Sequence, residues 1–143
     1  MDDDRAAITA LVYAYAERID AGDLDGVAAL FEHGVYRSER GGRYEGTAAV
    51  RDVLRRAVKL HDDGTPRTKH VTTNVVIEVD GAAGTALARS YFTVFQATAT
   101  RPLQAIVAGR YHDRFVRRDE RWEFADRLIF MDLVGDLSDH LTT

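Results

Sequence analysis

The residues of this chain best suited to chemistry are His70, Asp20, Tyr15, Tyr36 and Arg127. An imidazole titrates near neutral pH and can take a proton from a carbon next to a carbonyl. A carboxylate on one ring nitrogen would fix the tautomer and stabilise the imidazolium that forms. Phenols can donate hydrogen bonds to the carbonyl and to the enolate that develops from it. A guanidinium can hold an anionic substrate group or a departing oxyanion. Together these groups could move protons on an organic substrate with no metal and no cofactor. No contiguous motif joins them, so a fold has to bring them together.

The first half reads as helical. Ile8, Leu11, Val12, Tyr15 and Ile19 recur at spacings of three and four and form one apolar stripe. Asp2, Asp3 and Asp4 can cap that helix, and Ala21-Gly22 can stop it. Asp23 can cap a short second helix carrying Leu24, Val27, Leu30 and Phe31. A short strand follows at Val35-Tyr36-Arg37, a Gly41-Gly42 loop, and a return at Tyr44-Glu45-Gly46. Thr47 can cap a third helix containing Val50, Val53, Leu54, Ala57, Val58 and Leu60. After the breaker cluster 61–66 the period changes to two. Strands are expected over 68–79, 85–97, 103–117 and 121–133, joined by turns of hairpin length. Helices first and an antiparallel meander afterwards indicate an α+β domain spanning residues 1–143. A twisted sheet folded over helices makes a cone whose mouth is a natural ligand pocket.

These elements leave each candidate with a second reading. Alternation groups His70 with Thr72 and Asn74, opposite the apolar Val71, Val75, Ile77 and Val79, so a surface histidine fits the pattern unless a bulge re-aims it. Asp20 borders the apolar stripe and opposes the helix dipole, which argues for a purpose other than stability; a plain loop acid is the alternative. Tyr15 could be a core aromatic, and Tyr44 could serve in place of Tyr36. Alternation sets Arg127 opposite Trp122 and Phe124; only a bulge near Asp126, or a sheet buried on both faces, turns it inward. Asn74, Trp122, Phe31 and Tyr44 are the candidate substrate contacts.

Composition narrows the field. At 143 residues, 45% hydrophobic and 29% charged, the chain fits one globular domain. A net charge of -4 gives no basic footprint for nucleic acid. The chain has no cysteine, so disulfides, thiolate metal sites and a cysteine nucleophile are excluded. No apolar run approaches the roughly 20 residues of a membrane span, and the acidic start lacks a signal-peptide core, so a cytoplasmic protein is expected. His33, His61, His112 and His140 have no metal-ligand spacing and read as solvated. The apolar-rich stretches 91–95 and 103–107 suggest an outer sheet face covered by a second subunit, hence a homo-oligomer.

The chain resembles the NTF2-like (cystatin-like) cone fold in its SnoaL-like branch. The resemblance rests on 15–20 at the first helix end, Gly42-Arg43-Tyr44-Glu45-Gly46, Lys69-His70-Val71-Thr72-Thr73-Asn74-Val75-Val76, Gly109-Arg110-Tyr111-His112-Asp113 and the run 122–127. It implies three helices packed in a strongly curved, mainly antiparallel sheet. The branch includes scytalone dehydratase, bile-acid 7α-dehydratases, lindane dehydrochlorinase, ketosteroid isomerases and polyketide cyclases. In its dehydratase and dehydrochlorinase members a His-Asp pair inside the cone acts as base, and His70 and Asp20 match those positions. Tyr15 and Tyr36 resemble the dehydratase phenols, and Arg127 an arginine on the last strand. The implied activity is a lyase or isomerase acting without a cofactor on a hydrophobic cyclic, steroid-like or polyketide-like molecule. An aldol-type polyketide cyclase, a non-catalytic binder of a small apolar ligand and an oligomer-forming role stay open.

Overall fold

The computed structural model describes residues 2–142. Helix α1 runs Asp2–Asp20, α2 Leu24–Ala29 and α3 Thr47–Ala57. The strands are β1 Val35–Ser38, β2 Arg43–Glu45, β3 Thr68–Asp80, β4 Thr85–Thr98, β5 Arg101–Arg118 and β6 Arg121–Val134. They form one six-stranded sheet in the order β2-β1-β6-β5-β4-β3. Every pairing is antiparallel except β1 with β6, which run parallel.

The helices lie on the inner face of this sheet, with α1 against β3 and β6 and α2 against α3. Ile8, Val12, Tyr15 and Ile19 are buried, as the stripe requires. They meet Phe31, Phe115, Phe124 and Ile106, all shielded from solvent. Burying a side chain of this size contributes about 1.5–3 kcal/mol, so the aromatic floor is a main source of stability. Asp23 caps α2 by accepting from the Gly26 N–H at 2.9 Å. Thr47 is not the cap of α3. Gly46 holds that place with φ of 86° and makes no side-chain cap bond, so Thr47 becomes the first helical residue. The helix start expected at Asp2 to Asp4 has its capping position outside the described residues. Asp4 itself accepts from Trp122 Nε1 at 2.9 Å.

Two bulges decide which side chains face inward. Pairing of β3 with β4 shifts between Thr73 and Val76, where Asn74 has φ of 54°. Ahead of the bulge, Thr68 and His70 point in and Val71 is exposed; beyond it, Ile77 and Val79 pack on the core. Pairing of β5 with β6 shifts between Arg114 and Phe115, which leaves Ala125 as an extra residue in β6. Phe124 and Arg127, three positions apart, therefore both face inward, while Asp126 faces out and pairs with Arg37. An extra residue in one strand inverts the period-two parity downstream of it.

Candidate active site

Asp20 closes α1. Gly22, with φ of 77°, turns the chain immediately afterwards, and any Cβ there would strike the backbone carbonyl of Gly64. The tight approach seats the end of α1 on the turn that precedes β3. Asp20 thereby receives three hydrogen bonds from the start of β3. Thr68 Oγ1 donates to Oδ1 at 2.8 Å, the His70 backbone N–H donates to Oδ2 at 2.7 Å, and His70 Nδ1 lies 2.6 Å from Oδ1. Burial pushes the Asp20 carboxyl up, but the contacts from His70 and Thr68 outweigh it and hold the group below its ordinary value. An ionised carboxylate can only accept, so Nδ1 carries the hydrogen, and in the neutral ring the lone pair is then on Nε2. Nε2 makes no hydrogen bond among the described residues.

His70 opens onto a cavity of about 340 Å³ between the sheet, α1 and α3. Apolar side chains dominate its wall, among them Val53, Leu54, Phe92, Val94, Val107 and Met131. The polar groups on it are few. Tyr15 and Tyr36 hydroxyls lie 2.8 Å apart. That bond uses one phenolic hydrogen and leaves the other for a ligand. Burial raises both phenols above their ordinary value, Tyr36 well above it, so both stay protonated. Tyr44 and Tyr111 also line the cavity, and His140 reaches it from the C-terminal segment.

Arg127 is not on the cavity wall. It is wholly buried and forms a two-pronged pair with Asp113, Nε to Oδ1 at 2.8 Å and Nη2 to Oδ2 at 2.9 Å. Its guanidinium lies over the Tyr111 ring at 3.6 Å and the Tyr15 ring at 4.4 Å. Burial works against the Arg127 charge, and Asp113 more than offsets it, so the cation is held above its ordinary range. Nη1 is buried with no hydrogen-bond partner. Arg127 is thus a fixed positive charge behind the phenols.

The structure brings His70, Asp20, Tyr15, Tyr36 and Tyr44 together. Asn74 does not join them: it forms the β3 bulge and lines a depression on the outer face with Arg89 and Tyr91. Trp122 sits at the opposite end of the core, bonded to Asp4 and covered by Arg117 at 5.3 Å. Phe31 lies under the site, edge-on to Tyr36 at 5.2 Å and stacked on Phe124 at 4.9 Å, where it supports the phenols. Sequence reasoning missed Asp113, Tyr111 and His140. Alternation along β5 places Asp113 between Tyr111 and Phe115 on the inner face, and a carboxylate there demands a cation. His140 follows the last strand, carries no periodic signal, and is buried at 5% exposure instead of solvated. Among the described residues, no group of His, Asp and Glu is arranged to hold a metal ion, and no helix is long and apolar enough to cross a membrane.

Comparison with known proteins gives these features a setting. A variant of Rv3472 from Mycobacterium tuberculosis, a protein of unknown function, is 30% identical with a TM-score of 0.74, over 92% of this chain and 73% of that one. An NTF2-like protein with a cystatin-like fold from Novosphingobium aromaticivorans is 21% identical with a TM-score of 0.75, over 96% of this chain and 86% of that one. A candidate scytalone dehydratase from the same organism is 23% identical with a TM-score of 0.74, over 95% and 91% of the two chains. No curated protein matches the chain. Residues 3–128 match the SnoaL-like domain, and the chain belongs to that family.

Proposed function

We propose that this chain is a lyase or isomerase, of the dehydratase type, that acts on a hydrophobic ring ketone without a cofactor. The observation that carries the reading is the 2.6 Å contact of Asp20 with His70 Nδ1 at the wall of an apolar cavity. His70 Nε2 takes a proton from the carbon next to the carbonyl; the C–H electron pair becomes a carbon–carbon double bond and the carbonyl π pair moves onto the oxygen. The enolate oxygen is held by the free phenolic hydrogen of the Tyr15–Tyr36 pair. Asp20 stabilises the imidazolium. The carbonyl then re-forms: either a different carbon of a conjugated enolate takes the imidazolium proton, or the enolate's carbon–carbon pair shifts to expel a β-hydroxyl, which takes that proton and leaves as water. Arg127 acts through the phenols: its charge favours negative charge accumulating at the Tyr15 hydroxyl. The likeness to a candidate scytalone dehydratase supports the dehydratase type.

The test is deuterium incorporation into 2-tetralone in D2O, followed by proton NMR. Wild type is expected to exchange the protons next to the carbonyl faster than buffer. His70→Gln and Asp20→Asn are each expected to lose about a hundredfold or more. Full exchange in both variants would overturn the mechanism.

We also infer that the chain is a homo-oligomer. Leu87, Tyr91, Leu103 and Leu133 project from the outer side of β4, β5 and β6, each at least half exposed. An apolar face of this kind is a partner surface. Sedimentation velocity at micromolar concentration should give a dimer or larger species; a monomer would refute it.

A further inference from the structure

Residues 135–142 pack along the cavity, with Leu137, His140 and Leu141 on its wall. The segment is tied down along its length. The Gly135 N–H donates to the Ile106 carbonyl at 2.8 Å, and Lys59 Nζ donates to the Ser138 carbonyl at 2.6 Å. The Lys59 N–H donates to the His140 carbonyl at 2.8 Å, and the Thr142 N–H to that of Ala57 at 2.9 Å. Asp139 receives Arg101 Nε at 3.1 Å. This strap follows residues 3–128, the part that matches the family model.

The strap delivers one imidazole to the cavity. His140 lines the wall with its ring 6.0 Å from that of His70. The side chain is 5% exposed, Nδ1 is fully buried, and the ring makes no hydrogen bond among the described residues. Buried polar groups are almost always satisfied, so an imidazole built into an apolar wall without a partner needs an explanation. Phenylalanine would fill the same space at no such cost. The two histidines also differ in their support. His70 has a carboxylate behind it, and His140 has none. Burial and the neighbouring His70 lower the His140 ring to about 4, with Asp20 opposing, so it is neutral at physiological pH and neither a competing base nor a cation. A neutral imidazole has one donor and one acceptor nitrogen, which suits it to a hydroxyl group.

We propose that His140 is a specificity residue that hydrogen-bonds a ring hydroxyl of the substrate, so that the site selects hydroxylated ring compounds over their unsubstituted counterparts. This rests on the reading of the cavity as the substrate site. It names a second polar point on the ligand, in addition to the carbon that His70 deprotonates.

The test is binding of 2-naphthol and of naphthalene, read by ligand fluorescence, to wild type, His140→Phe and His140→Gln. Wild type should prefer 2-naphthol. His140→Phe should weaken 2-naphthol by about tenfold and leave naphthalene within twofold, while His140→Gln keeps part of the preference. Because Phe removes an unpartnered buried nitrogen, the variant should melt no lower than wild type; a structural histidine would behave in the opposite way. Equal weakening of both probes, an unchanged preference, or a wild type that holds neither probe would each overturn the proposal. Binding needs no turnover. Failure of the proton-transfer chemistry therefore shows only in the exchange assay and leaves this ratio untouched.

Discussion

Two pairs of a carboxylate with a nitrogen base stand on the inner side of the sheet, and they are built for opposite purposes. Asp113 and Arg127 are sealed in the core, joined by two parallel hydrogen bonds and roofed by Tyr111 and Tyr15. His70 sits at the cavity wall with Asp20 behind it, and Asp20 takes further bonds from Thr68 and the His70 backbone. In the first pair the carboxylate's partner is a guanidinium that never gives up its proton. In the second it is an imidazole that can. The same two ingredients yield a permanent charge or a movable proton, depending on the base chosen and on whether a ligand can reach it. The outer-face pair of Arg37 and Asp126 makes the contrast from another side, since Arg37 is 40% exposed there and the interaction is correspondingly screened.

If this division is right, substitutions in the two pairs should register in different observables. Arg127→Met should cost about 3–5 kcal/mol in urea unfolding, because it strands the Asp113 carboxylate in the core. Asp20→Asn should cost only about 1–3 kcal/mol while removing most of the exchange activity, because Asn keeps one acceptor oxygen and can hold either Thr68 or the His70 N–H, which bond to different oxygens of Asp20. Equal stability losses in the two variants would erase the distinction.

Acid should separate the site's groups in sequence. His140 is held at about 4 in the folded protein, below its ordinary 6.5, by burial and by His70 and His61, with Asp20 opposing. The unfolded chain therefore binds the proton first, and stability is lost as pH falls from 6.5 towards 4, by roughly 3 kcal/mol in total. Asp20 lies below its ordinary 3.8, so its contribution is present above that value and is lost only at lower pH. Urea midpoints against pH should show both stages in wild type and only the later one in His140→Phe. An unchanged loss between 6.5 and 4 would place the titrating group elsewhere. The smallest expected effect is that of Thr68→Val, about 1 kcal/mol, from one lost hydrogen bond to Asp20.

The strands were readable to within a residue or two at each end, because long period-two runs bounded by turn residues leave little choice. The turn at Asp119 and Glu120, both with positive φ, closes the β5–β6 hairpin where the charged break was expected. What alternation could not supply was parity across the bulges. His70 and Arg127 both lie on the outer side by simple counting, and both point inward because one residue is looped out nearby. The mark left in the sequence is Asn74, a residue type that tolerates the left-handed backbone it adopts there. Read as a substrate contact, Asn74 turns out to be the device that shifts the register beside His70. Asp113 was missed although its position between Tyr111 and Phe115 marks it as an acid on an apolar face. His140 was not legible, because tertiary packing alone brings the strap to the cavity.

The most direct test of the central claim is the tautomer of His70, read from its two imidazole 15N shifts at neutral pH in wild type and Asp20→Asn. The account predicts a single form in wild type, protonated at Nδ1 with a bare Nε2, and a mixture of both tautomers in the variant. A wild-type ring protonated at Nε2 would leave no lone pair facing the cavity and would contradict the general-base role.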